Sequence, residues 1–204
     1  MKNVFKLFGI IALLAIIGFS MAACGGDDGG GDDGTITIDG WKWWTYTDNA
    51  AGGISTITIT QGSGNDSKKL IISGNVQKIP GQMWGVASFG TTPDGANLTA
   101  FKNADSFSFT CKGDGKKYYV TVDTSDVKDD NFHRKTFTAS TTESTITVQY
   151  SDLVQQTSWG TIIPFNKNNI IRIKIEAWPG DDVTGEGPFN ITIWDLKVGG
   201  STSR

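Results

Sequence analysis

Ser106 to Asp123 reads SFSFTCKGDGKKYYVTVD, two runs of polar and apolar alternation joined by a glycine-bearing turn. Neighbouring residues of a strand point to opposite faces of its sheet, so a period of two marks strands with one buried side. Phe107, Phe109 and Cys111 make one inward row, and Tyr118, Val120 and Val122 make another. Between them Gly113 and Gly115 predict a hairpin whose turn needs unusual φ values. The opposite rows are Ser106, Ser108 and Thr110, and Tyr119, Thr121 and Asp123, a mixture of hydroxyl, aromatic and acidic groups.

The same pattern runs outward in both directions. Strands are expected over Thr35 to Asp39, Trp41 to Tyr46, Ile54 to Gln61, Lys68 to Val76, Met83 to Gly90, Ser106 to Lys112, Lys117 to Asp123, Phe132 to Ala139, Thr145 to Tyr150, Ile170 to Trp178 and Phe189 to Val198. Gly, Asn, Asp and Ser clusters separate them, and from Thr35 onward no stretch carries the i, i+3, i+4, i+7 apolar pattern of an amphipathic helix. Further inward rows are Ile146, Val148 and Tyr150, and Ile171, Ile173 and Ile175; the outward ones are Phe132, Arg134, Thr136 and Thr138, and Arg172, Lys174, Glu176 and Trp178. So many short strands without a fixed repeat predict an all-β domain, a two-sheet antiparallel β-sandwich or jelly roll, over residues 35–204.

The first residues read as an address. Lys2 and Lys6 precede an apolar run from Leu7 to Phe19, and Met21-Ala22-Ala23-Cys24 follows; the run falls short of a membrane span and ends in small residues. Residues 1–23 are expected to be a signal peptide, and the tetrad resembles a bacterial lipobox, with Cys24 as the lipid attachment point and the anchor to a membrane. A mature chain of 181 residues would then carry a formal charge of -5 in place of -3. Residues 24–34 hold the lipidated cysteine and a flexible Gly/Asp tether, GGDDGGGDDG, with a reach of roughly 17 Å. Its acids next to the lipid site look like signals that send some lipoproteins to the cell surface, and equally suit a plain soluble spacer. The expected location is the bacterial cell envelope, outside the cytoplasm. Cys111, left without a mate, is expected as a buried thiol, and no disulfide is predicted.

Composition removes several functional classes. The chain is mildly acidic with one histidine, which argues against nucleic acid as a partner and against histidine-based metal or acid/base chemistry. No G-x-S-x-G, H-E-x-x-H, P-loop or dinucleotide fingerprint is present, and most carboxylates lie in glycine-rich turns, so no catalytic residues are assigned and the protein is expected not to be an enzyme. His133 is expected buried or at an edge. If a metal is used, calcium suits the loop oxygens best, as a structural ion; the acids nearest strand ends are Asp48 and Asp195.

Seven tryptophans in an acidic, exported β-domain point to sugars, whose C–H faces stack on aromatic rings while their hydroxyls call for acids, amides and arginine. Trp41, Trp43 and Trp44 have a ready explanation as packing, whereas Trp84, Trp178 and Trp194 are the better candidates for exposure.

Four segments in order, WTYTDNAAGGIST with Trp44, Asp48, Gly52, Gly53 and Ser55, GDGKKYYVTVD from Gly113, WGTIIPF from Trp159 and the closing GPFNITIWDLKV, resemble the complex I intermediate-associated protein 30 family and its relatives, the family 11 carbohydrate-binding modules. The resemblance implies a galactose-binding-like jelly roll with a concave outer face able to hold a polysaccharide, often with structural calcium elsewhere. It carries binding roles onto Tyr119, Asp123 and Arg134, to which Trp84 and Trp178 add stacking. Alanine at Tyr119 or Arg134 should then reduce affinity and leave stability nearly untouched. The expected function is capture of a glycan by a monomeric lipoprotein. The alternative is a protein-binding lipoprotein, an adhesin or envelope assembly factor, using the same face.

Overall fold

The structure, a computed structural model, describes residues 35–180 and 182–199. The signal peptide, Cys24 and the tether lie outside the described residues. All eleven expected strands form: β1 (Ile36–Ile38), β2 (Trp41–Thr47), β3 (Thr56–Gln61), β4 (Leu70–Val76), β5 (Ala87–Thr91), β6 (Ser106–Gly113), β7 (Lys117–Thr124), β8 (His133–Thr138), β9 (Ser144–Gln149), β10 (Ile170–Ala177) and β11 (Gly187–Val198). They build an antiparallel two-sheet sandwich of jelly-roll type. One sheet runs β1-β2-β5-β10-β7-β8 and the other β3-β4-β11-β6-β9.

The inward rows meet between the sheets. Phe107, Phe109 and Cys111 from one sheet and Tyr118, Val120 and Val122 from the other are all buried, with Ile72, Phe89, Phe137, Val148, Ile173, Ile175, Ile191 and Ile193 around them. Edge-on ring contacts join the layers, Phe109 to Phe137 at 5.4 Å and Tyr118 to Phe189 at 6.2 Å between centroids. Cys111 is a free, buried thiol as expected, and burial pushes its pKa up.

Three expectations are corrected. First, the Ser106 to Asp123 stretch is no hairpin, because β6 and β7 belong to different sheets and the turn carries the chain across the core. The Gly113 and Gly115 amides donate instead to Ser140 and Ala139. Gly115 does take positive φ, at 83°, whereas Gly113 is required for space, since a Cβ there would stand 2.6 Å from that of Ala139. Alternation cannot distinguish two strands that pair from two that face each other across a core, because both bury one row.

Second, Ile171 is 39% exposed. A bulge between Ile170 and Arg172 inserts one extra residue, so Ile170 takes the inward place. A similar bulge follows Trp194, where Asp195 adopts φ 57°, and it shifts the later residues so that Leu196 and Val198 pack on the core.

Third, a helix forms where none was expected, α1 (Gly95–Asn103). Phe101 is its one deeply buried side chain, edge-on to Trp41 and Phe107, and the Tyr150 hydroxyl donates to its carbonyl at 2.9 Å. A single anchor over nine residues leaves no apolar repeat to read.

Candidate functional site

Cross-strand registry lays the outward side chains of the six-stranded sheet in rows. Trp44 stands opposite Gly90, Gly90 opposite Lys174, Lys174 opposite Thr121, and Thr121 opposite Arg134. The adjacent row is Tyr46, Ser88, Glu176, Tyr119 and Thr136. Gly90 is required for space in the first row, since a Cβ there would stand 2.4 Å from the Ile173 carbonyl oxygen and 3.1 Å from both the Trp44 ring and the Lys174 stem.

A charged chain runs through the middle of this face. The Arg172 Nε lies 2.8 Å from Asp123 Oδ2, and Lys174 Nζ bridges Asp123 Oδ1 at 3.1 Å and Glu176 Oε1 at 3.0 Å. Glu176 Oε2 accepts from the Thr121 hydroxyl at 2.8 Å and from the Trp178 indole N–H at 3.3 Å. Burial opposes ionisation of Glu176, but Lys174, the Thr121 hydroxyl and the charge of Arg134 together hold its pKa below the usual carboxylate range. Phe132 lies 4.8 Å from the Lys174 ammonium.

Glu176 thereby sets the orientation of Trp178, whose ring meets Tyr119 edge-on at 6.1 Å and 86°. The Arg134 guanidinium sits over both rings, 4.5 Å from the Tyr119 centroid and 5.2 Å from that of Trp178. Arg134 is only 6% exposed, and desolvation lowers its pKa. It makes no ion pair or side-chain hydrogen bond among the described residues.

Beside Arg134 the chain from 151 to 163 forms a wall that alternation could not announce. Val154 pairs with Arg134 through two backbone hydrogen bonds and so extends the sheet past β8. Buried amides hold this wall. The Asn131 side chain donates to the carbonyls of Gln156 and Trp159, while Gln155 donates to Asn131 and Thr161 and accepts from the Ile163 amide. Asp129 accepts from the Thr161 amide, which lowers its pKa. The result is an open groove of about 270 Å³ lined by Tyr119, Arg134, Thr136, Val154, Gln155 and Gln156, with the Lys135–Asp152 ion pair at its side.

Of the five residues expected to contact a ligand, Tyr119, Arg134 and Trp178 come together. Asp123 is on the expected face but has 0% exposure, so it holds Arg172 and Lys174 in place and does not reach a ligand. Trp84 is 37% exposed on the loop entering β5; its indole donates to Gln82, and it makes no ring contact with the trio. The expectation that alanine at Arg134 would spare stability fails on its burial, because the stem and guanidinium pack against two rings. Sequence reasoning missed Asn131 and Gln155; only the WGTIIPF segment hinted that something followed Trp159.

The metal expectation meets occupied oxygens. Asp48 is buried, with Oδ1 accepting from the Ser55 amide at 3.2 Å and Oδ2 from the Ser55 hydroxyl at 2.8 Å and the Val86 amide at 2.9 Å. Asp195 is exposed and paired with Lys197 at 2.6 Å. Among the described residues no group of three or more His, Cys, Asp or Glu is placed to hold a metal ion.

The sandwich with this face is a jelly roll of the class found in carbohydrate-binding modules. The family 11 module from Clostridium thermocellum, solved in complex with a β-1,3-1,4-mixed-linked tetrasaccharide, superposes with a TM-score of 0.55 at 16% identity, covering 79% of this chain and 91% of the module. The family 11 module of a cellulosomal cellulase from the same organism gives 0.56 at 15% identity, covering 79% and 89%. Residues 36–193 match the model of the complex I intermediate-associated protein 30 family, and the chain belongs to that family. Among curated proteins, Endoglucanase 3 of Fibrobacter succinogenes is 29% identical over 161 residues; the match takes in 72% of this chain but 23% of the relative. The chain therefore spans under a quarter of that relative's length.

Proposed function

We propose that this protein is a non-catalytic, glycan-binding lipoprotein that holds a polysaccharide along the outer face of the six-stranded sheet. The observation that carries this is the unit of Tyr119, Trp178 and Arg134, three side chains from β7, the residue just after β10, and β8, locked into one geometry beside an open groove. Rigid aromatic area next to hydrogen-bond donors suits a sugar, which presents C–H faces and hydroxyls together. The Tyr119 hydroxyl and the guanidinium edge make no protein hydrogen bonds among the described residues and supply donors for such a ligand. The membership in the family and the likeness to the family 11 modules support the reading.

Glycoside hydrolysis needs two carboxyl groups on either side of the scissile bond. The two carboxylates of this face, Asp123 and Glu176, are both buried and share one lysine, which favours binding over catalysis. The anchor would be lipid on Cys24, with the tether carrying the domain clear of a bacterial membrane.

A glycan array probed with the full chain, followed by tryptophan-fluorescence titration of each hit, tests the proposal. Saturable binding of one polysaccharide class is expected, with Tyr119→Ala and Trp178→Ala each weakening it about tenfold or more. Silence from a folded chain would overturn it in favour of protein binding, to be pursued by pull-down from envelope extracts.

A further inference from the structure

Arg134 forms no ion pair with the charged chain, although its charge favours ionised Glu176. Arg172 and Lys174 share Asp123, and Lys174 also neutralises Glu176. The groove's remaining carboxylate, Asp152, is taken by Lys135 at 2.8 Å. Arg134 is thus nine-tenths buried with no counter-ion within ion-pair distance among the described residues, and it opens onto the groove. Burying an unpaired charge is costly, and two cation–π contacts offset that cost only in part. Among the described residues Arg172 and Lys174 are paired with Asp123 and Glu176, which leaves Arg134 as the cation beside the groove without an ion-pair partner.

A neutral hydroxyl would satisfy the donors of this guanidinium but leave its charge. A planar carboxylate would satisfy both, because its two oxygens match the fork of guanidinium N–H groups in parallel hydrogen bonds. Resting on the glycan-binding reading above, we propose that the ligand is an acidic glycan, seated by the carboxylate of a uronic acid residue on Arg134 with the sugar ring against Tyr119 and Trp178. The Lys135–Asp152 pair and half-buried Gln156, whose Oε1 accepts from the Trp159 indole, line the groove where the neighbouring sugar would run.

The test uses two matched pairs at neutral pH and low salt: the β-1,4-linked hexamer of glucuronic acid against cellohexaose, which share linkage and length and differ at C6, and polygalacturonate against its methyl ester. Titration of the full chain should give binding about tenfold tighter for the acid in at least one pair, falling as salt is raised. Arg134→Gln should abolish the preference for the acid, and Arg134→Lys should keep the charge dependence but bind more weakly. If either variant proves unfolded by circular dichroism, the wild-type pairs decide alone. Equal or weaker binding of the acid in both pairs, with a neutral glycan bound, overturns the uronate inference and leaves glycan binding standing. No binding of any glycan overturns both.

Discussion

His133 lies on the inward row of β8, 4% exposed, with its Nε2 3.0 Å from the Ile163 carbonyl. A carbonyl only accepts, so Nε2 carries the proton and the buried Nδ1 is left without a partner. Burial pushes the pKa of this ring below its ordinary value of about 6.5. The unfolded chain therefore takes up a proton before the folded one does. Stability is complete above the unfolded pKa and is lost as pH falls toward the folded value. The melting temperature should drop between pH 7 and pH 5.5, and the drop should be smaller in His133→Gln; equal slopes would sink the assignment. At this scale parity put Tyr119, Arg134 and Trp178 each on the outward row of its own strand, and the family resemblance joined them as one binding face. It could not place Asp123 and Arg134 under cover, because what covers them comes from other strands and from the wall at 151–163.

The connection from β2 to β3 is held by one buried side chain. Asp48 ties Ser55 and Val86, and a Cβ at Gly53 would lie 2.0 Å from its Oδ1, so the glycine is there to admit the carboxylate. Asp48→Ala orphans the Ser55 and Val86 amides and leaves the Ser55 hydroxyl only the Gln77 carbonyl at 3.3 Å, and should destabilise the domain by about 3 kcal/mol in chemical denaturation. The melting temperature should also be the same with calcium and with chelator, since these oxygens already hold protein donors; a drop with chelator would return Asp48 to the role of calcium ligand. Elements with period two were legible nearly to the residue, as β7 and β11 illustrate. Their bulges were not, because an extra residue at Ile171 is a response to the neighbouring strand and leaves no mark in composition.

For the whole molecule, the expected lipid on Cys24 can be checked by growing an expressing bacterium with an alkyne-bearing fatty acid. Label should enter the chain and be absent from Cys24→Ser, which should also leave the membrane fraction; label in both would refute the lipidation site. The sequence by itself determined a β-sandwich fold for the domain that begins at Thr35, most of the rows that face the core, and that Tyr119, Arg134 and Trp178 each stand on the outward row of their strand. These follow from local sterics, since a strand must alternate its side chains. Only the tertiary structure decided that Ser106 to Asp123 crosses from one sheet to the other, that Asp123 serves Lys174 and Arg172, and that Arg134 is buried without a counter-ion beside a groove. Strand pairing, burial and charge balance depend on residues far apart in the chain, and alternation carries no record of which distant row each strand will meet.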